Sequence, residues 1–219
     1  MLNYTWFEIM IRMGTYYLKT PISDDDITKL RVGDTIYVSG ILVSARDAAH
    51  VRMIELLHRG EKLPVDLRGG VIYHAGPVAL KQGDTWRIVS MGPTTSARME
   101  EFEPEVIEKL GVKLIIGKGG MGPKTTEAMK KYKAAYAIFT GGAGVLAAQA
   151  IKRVINVYWL DLGIAEAMWV LEVENFGPLT VIIDSYGNNY YEDLRKNVRN
   201  KVPELSKEVV DVIKNVIKI

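Results

Sequence analysis

The sequence predicts an α/β domain built on a mainly parallel sheet, and three observations carry that expectation. Short β-rich runs alternate with helix-like runs through the middle of the chain, the order that lays helices over a parallel sheet. Val112-Lys113-Leu114-Ile115-Ile116 is almost continuously apolar, as suits a strand covered on both faces. Successive strand-like runs also stop at glycine breaks, at Gly76-Pro77, Gly92-Pro93, Gly117 to Pro123 and Gly141-Gly142, where the chain turns toward a helix. Runs broken by glycine at 36–43 and 71–76 point to a further small β layer.

In order, residues 1–13 fit no clear period and read as an N-terminal extension, with one domain over 14–219. Thr15 to Pro21 reads as a strand. Ser23-Asp24-Asp25-Asp26 is the acidic cap of a short helix ending near Leu30. Ile36 to Val43 is a strand with a bulge or bend expected at Gly40. Asp47 is placed as the N-cap of a helix with Val51, Ile54 and Leu56 or Leu57 on its apolar stripe, stopped by Gly60. Strands follow over 69–77 and 85–91, then a helix over 99–110, the strand 112–116 and a helix from about Thr125 carrying Ala128, Met129 and Tyr132. Ala134 to Phe139 is the next strand. A helix is predicted over 145–154, strands over 157–161, 167–173 and 179–184, and an amphipathic helix over 204–219.

Composition narrows the function. The 219 residues are 48% hydrophobic and 25% charged, with a net charge of +2. That balance is ordinary for a globular domain and gives no electrostatic case for nucleic acid or an anionic membrane. No apolar run reaches the ~18 residues of a membrane span, and no signal peptide is evident, so a cytoplasmic address is expected. The absence of cysteine excludes disulfides and any iron–sulfur cluster held by this chain's own thiolates. Three histidines, His50, His58 and His74, stand in no metal-ligand spacing, so no metal site is expected. His50 reads as a hydrogen-bonded structural residue.

The stretch that concentrates chemistry is Gly92-Pro93-Thr94-Thr95-Ser96-Ala97-Arg98. Gly-Pro ends a strand, and Thr94 or Thr95 is placed to cap the helix that follows. A helix start offers unpartnered N–H groups, and Arg98 adds a planar fork suited to a carboxylate. Arg46, just ahead of the Asp47 helix, repeats the arrangement, or pairs with Asp47 on the surface. Lys118 sits on a glycine loop at the carboxyl end of a strand, where α/β proteins place ligands.

Two glycine loops imitate nucleotide sites. Gly117 to Thr125 misses the P-loop because Pro123 stands where lysine is required and removes a phosphate-binding N–H. Gly142-Ala143-Gly144 follows a strand, opens a helix and has Asp161 where a ribose-binding acid would stand. More than half the chain precedes it, however, which is out of place for a Rossmann domain. A non-catalytic nucleotide-binding domain at this loop stands as the distant alternative.

Taken together, Ser44 to His50, Tyr73 to Pro77, Gly92 to Met99, the Lys118 loop and Gly163 to Phe176 resemble one family. It comprises the β subunits, or C-terminal halves, of class I iron–sulfur fumarate hydratases and the related L(+)-tartrate dehydratases. The resemblance implies a swivelling β/β/α three-layer domain that docks on a separate α subunit, in a homodimer or α2β2 assembly. The partner would hold a 4Fe–4S cluster, and this chain no cofactor. The activity implied is reversible hydration of fumarate to malate, with L(+)-tartrate dehydration as the alternative. Carried over by motif, Thr94 would be the catalytic base, and Arg46, Arg98 and Lys118 would bind the substrate carboxylates. Thr95 would shape the loop beside them. His74 stands where related sequences often have a tyrosine, and packing is its expected role.

Overall fold

The structure, a computed structural model, describes residues 13–216. Apart from Met13, the extension expected at 1–13 lies outside the described residues, as do 217–219. The elements are β1 (Thr15–Lys19), α1 (Asp24–Lys29), β2 (Thr35–Ser44), α2 (Asp47–His58), β3 (Val71–Tyr73), β4 (Val78–Gln82), β5 (Thr85–Ser90), a 3-10 turn (Ser96–Met99), α3 (Glu103–Leu110) and β6 (Leu114–Gly117). They continue with α4 (Pro123–Tyr132), β7 (Ala135–Ile138), α5 (Gly144–Gln149), β8 (Ile151–Tyr158), β9 (Met168–Ile183) and α6 (Tyr190–Val216).

Seven strands form one sheet in the order β1-β2-β3-β6-β7-β9-β8, and β2 also pairs with β9. The sheet therefore closes on itself like a barrel. Pairings among β1, β2, β3, β6 and β7 are parallel, whereas β9 runs antiparallel to β2, β7 and β8. Parallel pairings join five of the seven strands, as expected of a mainly parallel sheet, and the whole is a mixed, curled sheet. The cause is β9, a 16-residue strand long enough to bridge β2 to both β7 and β8. Gly177-Pro178 made it read as two strands. The residues expected to extend a helix to 154 instead belong to β8, and the β4–β5 hairpin was not foreseen in full.

Period-2 alternation sorts the core. Val71 and Tyr73, Leu114 and Ile116, and Ala135 and Ala137 pack with Trp169 and Phe176 on one side. Ile72, Ile115 and Tyr136 face the other side, where α2, α3 and α4 supply Met53, Val106, Ile107 and Met129. Burying aliphatic and aromatic side chains on both sides of β3, β6 and β7 stabilises each by about 1.5–3 kcal/mol and fixes the carboxyl ends of those strands at one edge. Gly40 sits at φ +104° beside an irregularity in the β2–β9 register, as expected, and a Cβ there would meet Thr20 Oγ1. Helix α1 is capped by Ser23, whose Oγ accepts from the Asp26 N–H at 3.1 Å. Helix α2 buries Ala49, His50 and Met53, while Val51 is exposed. The buried face thus runs through His50 and Met53 rather than through the expected Val51. Among the described residues no helix is long and apolar enough to cross a membrane.

Candidate active site

Parallel strands β2, β3 and β6 end side by side, and the segment 93–96 lies across their ends. The Thr94 N–H donates to the His74 carbonyl at 2.6 Å, the Lys118 N–H to the Thr94 carbonyl at 3.2 Å, and the Ser96 N–H to the Lys118 carbonyl at 3.1 Å. Ala75 bridges Pro93, and Thr95 bridges Lys118. The segment is thereby inserted like a short extra strand between the ends of β3 and β6. Such close approach requires a bare backbone. A Cβ on Gly117 would stand 1.9 Å from Ser96 Oγ, and one on Gly76 would stand 2.2 Å from the Ala165 carbonyl oxygen.

Thr95 is the residue ahead of the 3-10 turn, but neither it nor Thr94 caps with its side chain, and the Ser96 amide is already used. That amide of the expected seat is therefore spent within the chain. What stands in its place is an arginine held from two sides. Arg98 Nε and Nη2 donate to the two carboxylate oxygens of Asp47 at 2.8 Å each, and Nη2 also donates to Thr94 Oγ1 at 2.8 Å. The hydrogen bond from Arg98 holds the Asp47 carboxyl below its usual range, and the same bond raises Arg98. Among the described residues nothing bonds to Nη1, so that edge of the guanidinium points outward with its donors available.

Arg46 does not pair with Asp47, as local adjacency suggested. It precedes α2 as the N-cap residue, and its Nη2 lies 3.1 Å from Glu166 Oε1. Glu166 Oε2 accepts the Ala48 N–H at 3.0 Å, which anchors the carboxylate to the start of α2. Arg46 Nε is buried with no hydrogen-bond partner among the described residues, an orphan donor of the kind that marks a ligand position. Lys118 is exposed beside Gly141, with Cδ 3.7 Å from a Cβ placed there, and its ammonium makes no ion pair among the described residues. Thr94, Thr95, Arg98 and Lys118 are thus joined directly, and Arg46 joins them through its neighbour Asp47.

Beneath this rim lies a buried cluster that motif reading did not find. His50 Nε2 and His74 Nε2 both meet Glu103 Oε1, at 2.9 and 2.6 Å. His50 Nδ1 lies 2.8 Å from the Arg46 carbonyl, and His74 Nδ1 lies 2.9 Å from Ser96 Oγ. All four side chains are fully buried. Despite burial, the bond to Glu103 holds His50 above its ordinary value, and the two histidines hold Glu103 down at about 2. His74 is pushed down by burial. The three acceptor-type atoms could be taken for a metal site, but ligands of one ion at ~2.0–2.2 Å stand about 3 Å or more apart. Separations of 2.9 and 2.6 Å are those of shared protons. Glu103 opens α3 next to Pro104 and stands in no metal-ligand or catalytic spacing in the sequence, so no local signal revealed it.

The two misleading glycine loops are accounted for. Glu100 fills the start of α4, where Oε2 accepts the Gly122 N–H at 2.6 Å and Oε1 accepts the Lys124 and Thr125 N–H groups at 3.0 and 3.1 Å. The protein's own carboxylate occupies the position a phosphate would take. Asp161 is engaged by Arg52 at 2.9 and 2.6 Å, and β8 pairs with β9 rather than with β7, so the context of a dinucleotide fingerprint is missing.

The sequence matches the family described as Fumarase C-terminus over residues 10–194. It is 47% identical over 194 residues to the L(+)-tartrate dehydratase subunit beta of Escherichia coli K12, covering 89% of this chain and 95% of that one. A Methanocaldococcus jannaschii protein provisionally given the same name is 47% identical over 190 residues, 86% of this chain and 97% of that one. A Geobacillus stearothermophilus protein provisionally named fumarate hydratase class I is 39% identical over 193 residues, which is 88% of this chain and 36% of that longer protein.

Proposed function

Because this chain belongs to the Fumarase C-terminus family, we propose that it is the β subunit of a hydro-lyase for small 2-hydroxy dicarboxylates. The reaction is reversible hydration of fumarate to malate, in the cytoplasm. The observation that carries the reading is the grouping of Arg46, Thr94, Arg98 and Lys118 at adjacent strand ends, with the buried Arg46 Nε unpartnered. A dicarboxylate needs a cation for each end, and a guanidinium fixes orientation as well as charge. Arg46, Arg98 and Lys118 supply three. Removing a proton beside a carboxylate spreads further negative charge onto its oxygens, which these cations stabilise more than the ground state.

Thr94 is the proposed base. A threonine hydroxyl is weak in that role unless its ionised form is favoured. The Arg98 donor on Thr94 Oγ1 favours that form and leaves the hydroxyl proton directed elsewhere. Thr95 shapes the loop through its bridge to Lys118. This chain has no cysteine, so its residues do not fit an iron–sulfur cluster. We place the cluster on a partner α subunit and route no step in this chain through it. The near full-length match to chains named subunit beta, against a 36% share of the longer Geobacillus protein, supports a separate partner, in an α2β2 or dimeric assembly.

Dehydration of L(+)-tartrate is the second reading, favoured by the names of the two relatives at 47% identity. Assay of the chain assembled with its partner on malate and on L(+)-tartrate separates the two. Arg98→Ala is expected to lower kcat/KM on the preferred substrate by ~10²-fold, the size of a lost transition-state charge contact. Undiminished turnover by Arg98→Ala would sink the site.

A further inference from the structure

The buried histidine–glutamate cluster is wired to the rim in a way that defines its proton content. At one end the Arg46 carbonyl can only accept, so His50 Nδ1 carries a proton. At the other end Tyr136 OH lies 2.9 Å from the Gly119 carbonyl and 3.0 Å from Ser96 Oγ. Its one proton belongs to the carbonyl, so the Ser96 hydroxyl donates to Tyr136, and Ser96 Oγ then accepts from His74 Nδ1. Both Nδ1 positions are protonated. Each Nε2–Oε1 contact with Glu103 therefore needs a further proton, because otherwise two lone pairs would face each other at 2.9 and 2.6 Å. Two protons shared among two imidazoles and one carboxylate leave a net charge of +1. At 2.6 Å that requirement outweighs the tendency of burial to empty His74.

We propose that His50, Glu103 and His74 are positioning residues for the dicarboxylate site, forming one buried, positively charged hydrogen-bond chain from the Arg46 carbonyl to the Gly119 carbonyl. The proposal rests on the reading of that site given above. Arg46, Thr94 and Lys118 of the rim hang from this chain. Arg46 is tied by its carbonyl, which also accepts the His50 N–H at 2.9 Å. Thr94 is tied by the His74 carbonyl and through Ser96, and Lys118 is tied by its neighbour Gly119. The buried charge also lies beneath the residues proposed to hold a dianion, where low dielectric strengthens its pull. Other ionisable groups facing the cluster are Asp47 at the start of α2, Tyr136 on β7 and Tyr191 on α6, together with Arg46.

Nitrogen-15 spectra of the full chain with labelled histidine report the proton on each ring nitrogen. At pH 7 His50 and His74 are each expected to be protonated on both nitrogens. In Glu103→Gln, His50 is expected to be neutral at that pH. In the enzyme assembled with its partner, the same variant should lose about tenfold or more in kcat with KM changed less, since the gripping groups remain while their placement is lost. A neutral His50 in the unaltered chain, or a folded Glu103→Gln enzyme with unchanged kcat and KM, overturns the proposal. Should that variant not fold, Tyr136→Phe cuts the same chain at its Gly119 end, and an unchanged kcat there is equally fatal. Absence of activity on any 2-hydroxy dicarboxylate in the unaltered assembly would remove the reading of the site, while the spectra would still decide the charge of the cluster.

Discussion

Two acid–base groupings meet at the carboxyl end of the sheet, and they differ in depth. Arg98 and Asp47 form a bidentate pair in which the side chains are 46% and 39% exposed. His50, Glu103 and His74 are joined by contacts of similar length but are fully buried. Water screens the first pair and would replace either partner at small cost. The second has no water to fall back on, so each of its groups depends on the others. The outer pair leaves one edge of its guanidinium open to a ligand carboxylate, and the inner cluster is built not to change.

The sharpest way to break this comparison is to remove the shared acceptor. Glu103→Ala leaves two buried imidazoles without a counter-charge, and loss of one member of a buried pair costs about 3–5 kcal/mol. Denaturant unfolding of the full chain should show a loss of that size. A loss under ~1 kcal/mol would mean that the cluster is neither charged nor structural. Next in size is the pH dependence. Glu103 falls from an ordinary 4.5 to about 2, so its stabilising contribution is complete above 4.5 and disappears as the pH falls from 4.5 toward 2. His50 is raised above 6.5, so its contribution is complete below 6.5 and disappears as the pH climbs through the raised value. Together these two groups stabilise most from about pH 4.5 to 6.5. Glu103→Gln should flatten both arms in unfolding curves across pH, and arms that persist in the variant would assign them to other groups.

The same difference in depth explains what could be read from sequence. Burial on both faces left continuous apolar runs in β6 and β7, and glycines marked the strand ends, so the alternation and the location of Thr94, Arg98 and Lys118 were legible from local pattern. Pairing across the sheet was not. Nothing local in Met168 to Ile183 says that one strand closes the sheet against β2, and Gly177-Pro178 argues locally for a stop. In the site, sequence adjacency suggested an Arg46–Asp47 pair, whereas the fold hands Asp47 to Arg98 and gives Arg46 to Glu166. His50, His74 and Glu103 come from three separate elements, and only the packing of α2 and α3 on the sheet brings them within hydrogen-bond reach. An acidic residue near a helix start is ordinarily a solvated group, and nothing in the sequence around Glu103 sets it apart from one.

The smallest expected effect tests the outer pair. Asp47 engages Arg98 through Nε and Nη2 and leaves Nη1 without a partner among the described residues, so its carboxylate acts as an orienting brace. Asp47→Ala removes an exposed contact worth about 0.2–1 kcal/mol, and unfolding of the full chain should change by no more than that. The activity of the assembled enzyme should separate the two possible consequences of losing the brace. If Asp47 only competed with substrate for Arg98, its removal would lower KM and leave kcat alone. If it holds Nη1 outward and Nη2 on Thr94 Oγ1, kcat should fall severalfold while stability hardly moves, because the guanidinium becomes free to turn away from the base. The bidentate geometry and the shared Nη2 donor favour the fall in kcat. A lowered KM at full kcat would show instead that this pair is a competitor and not a brace.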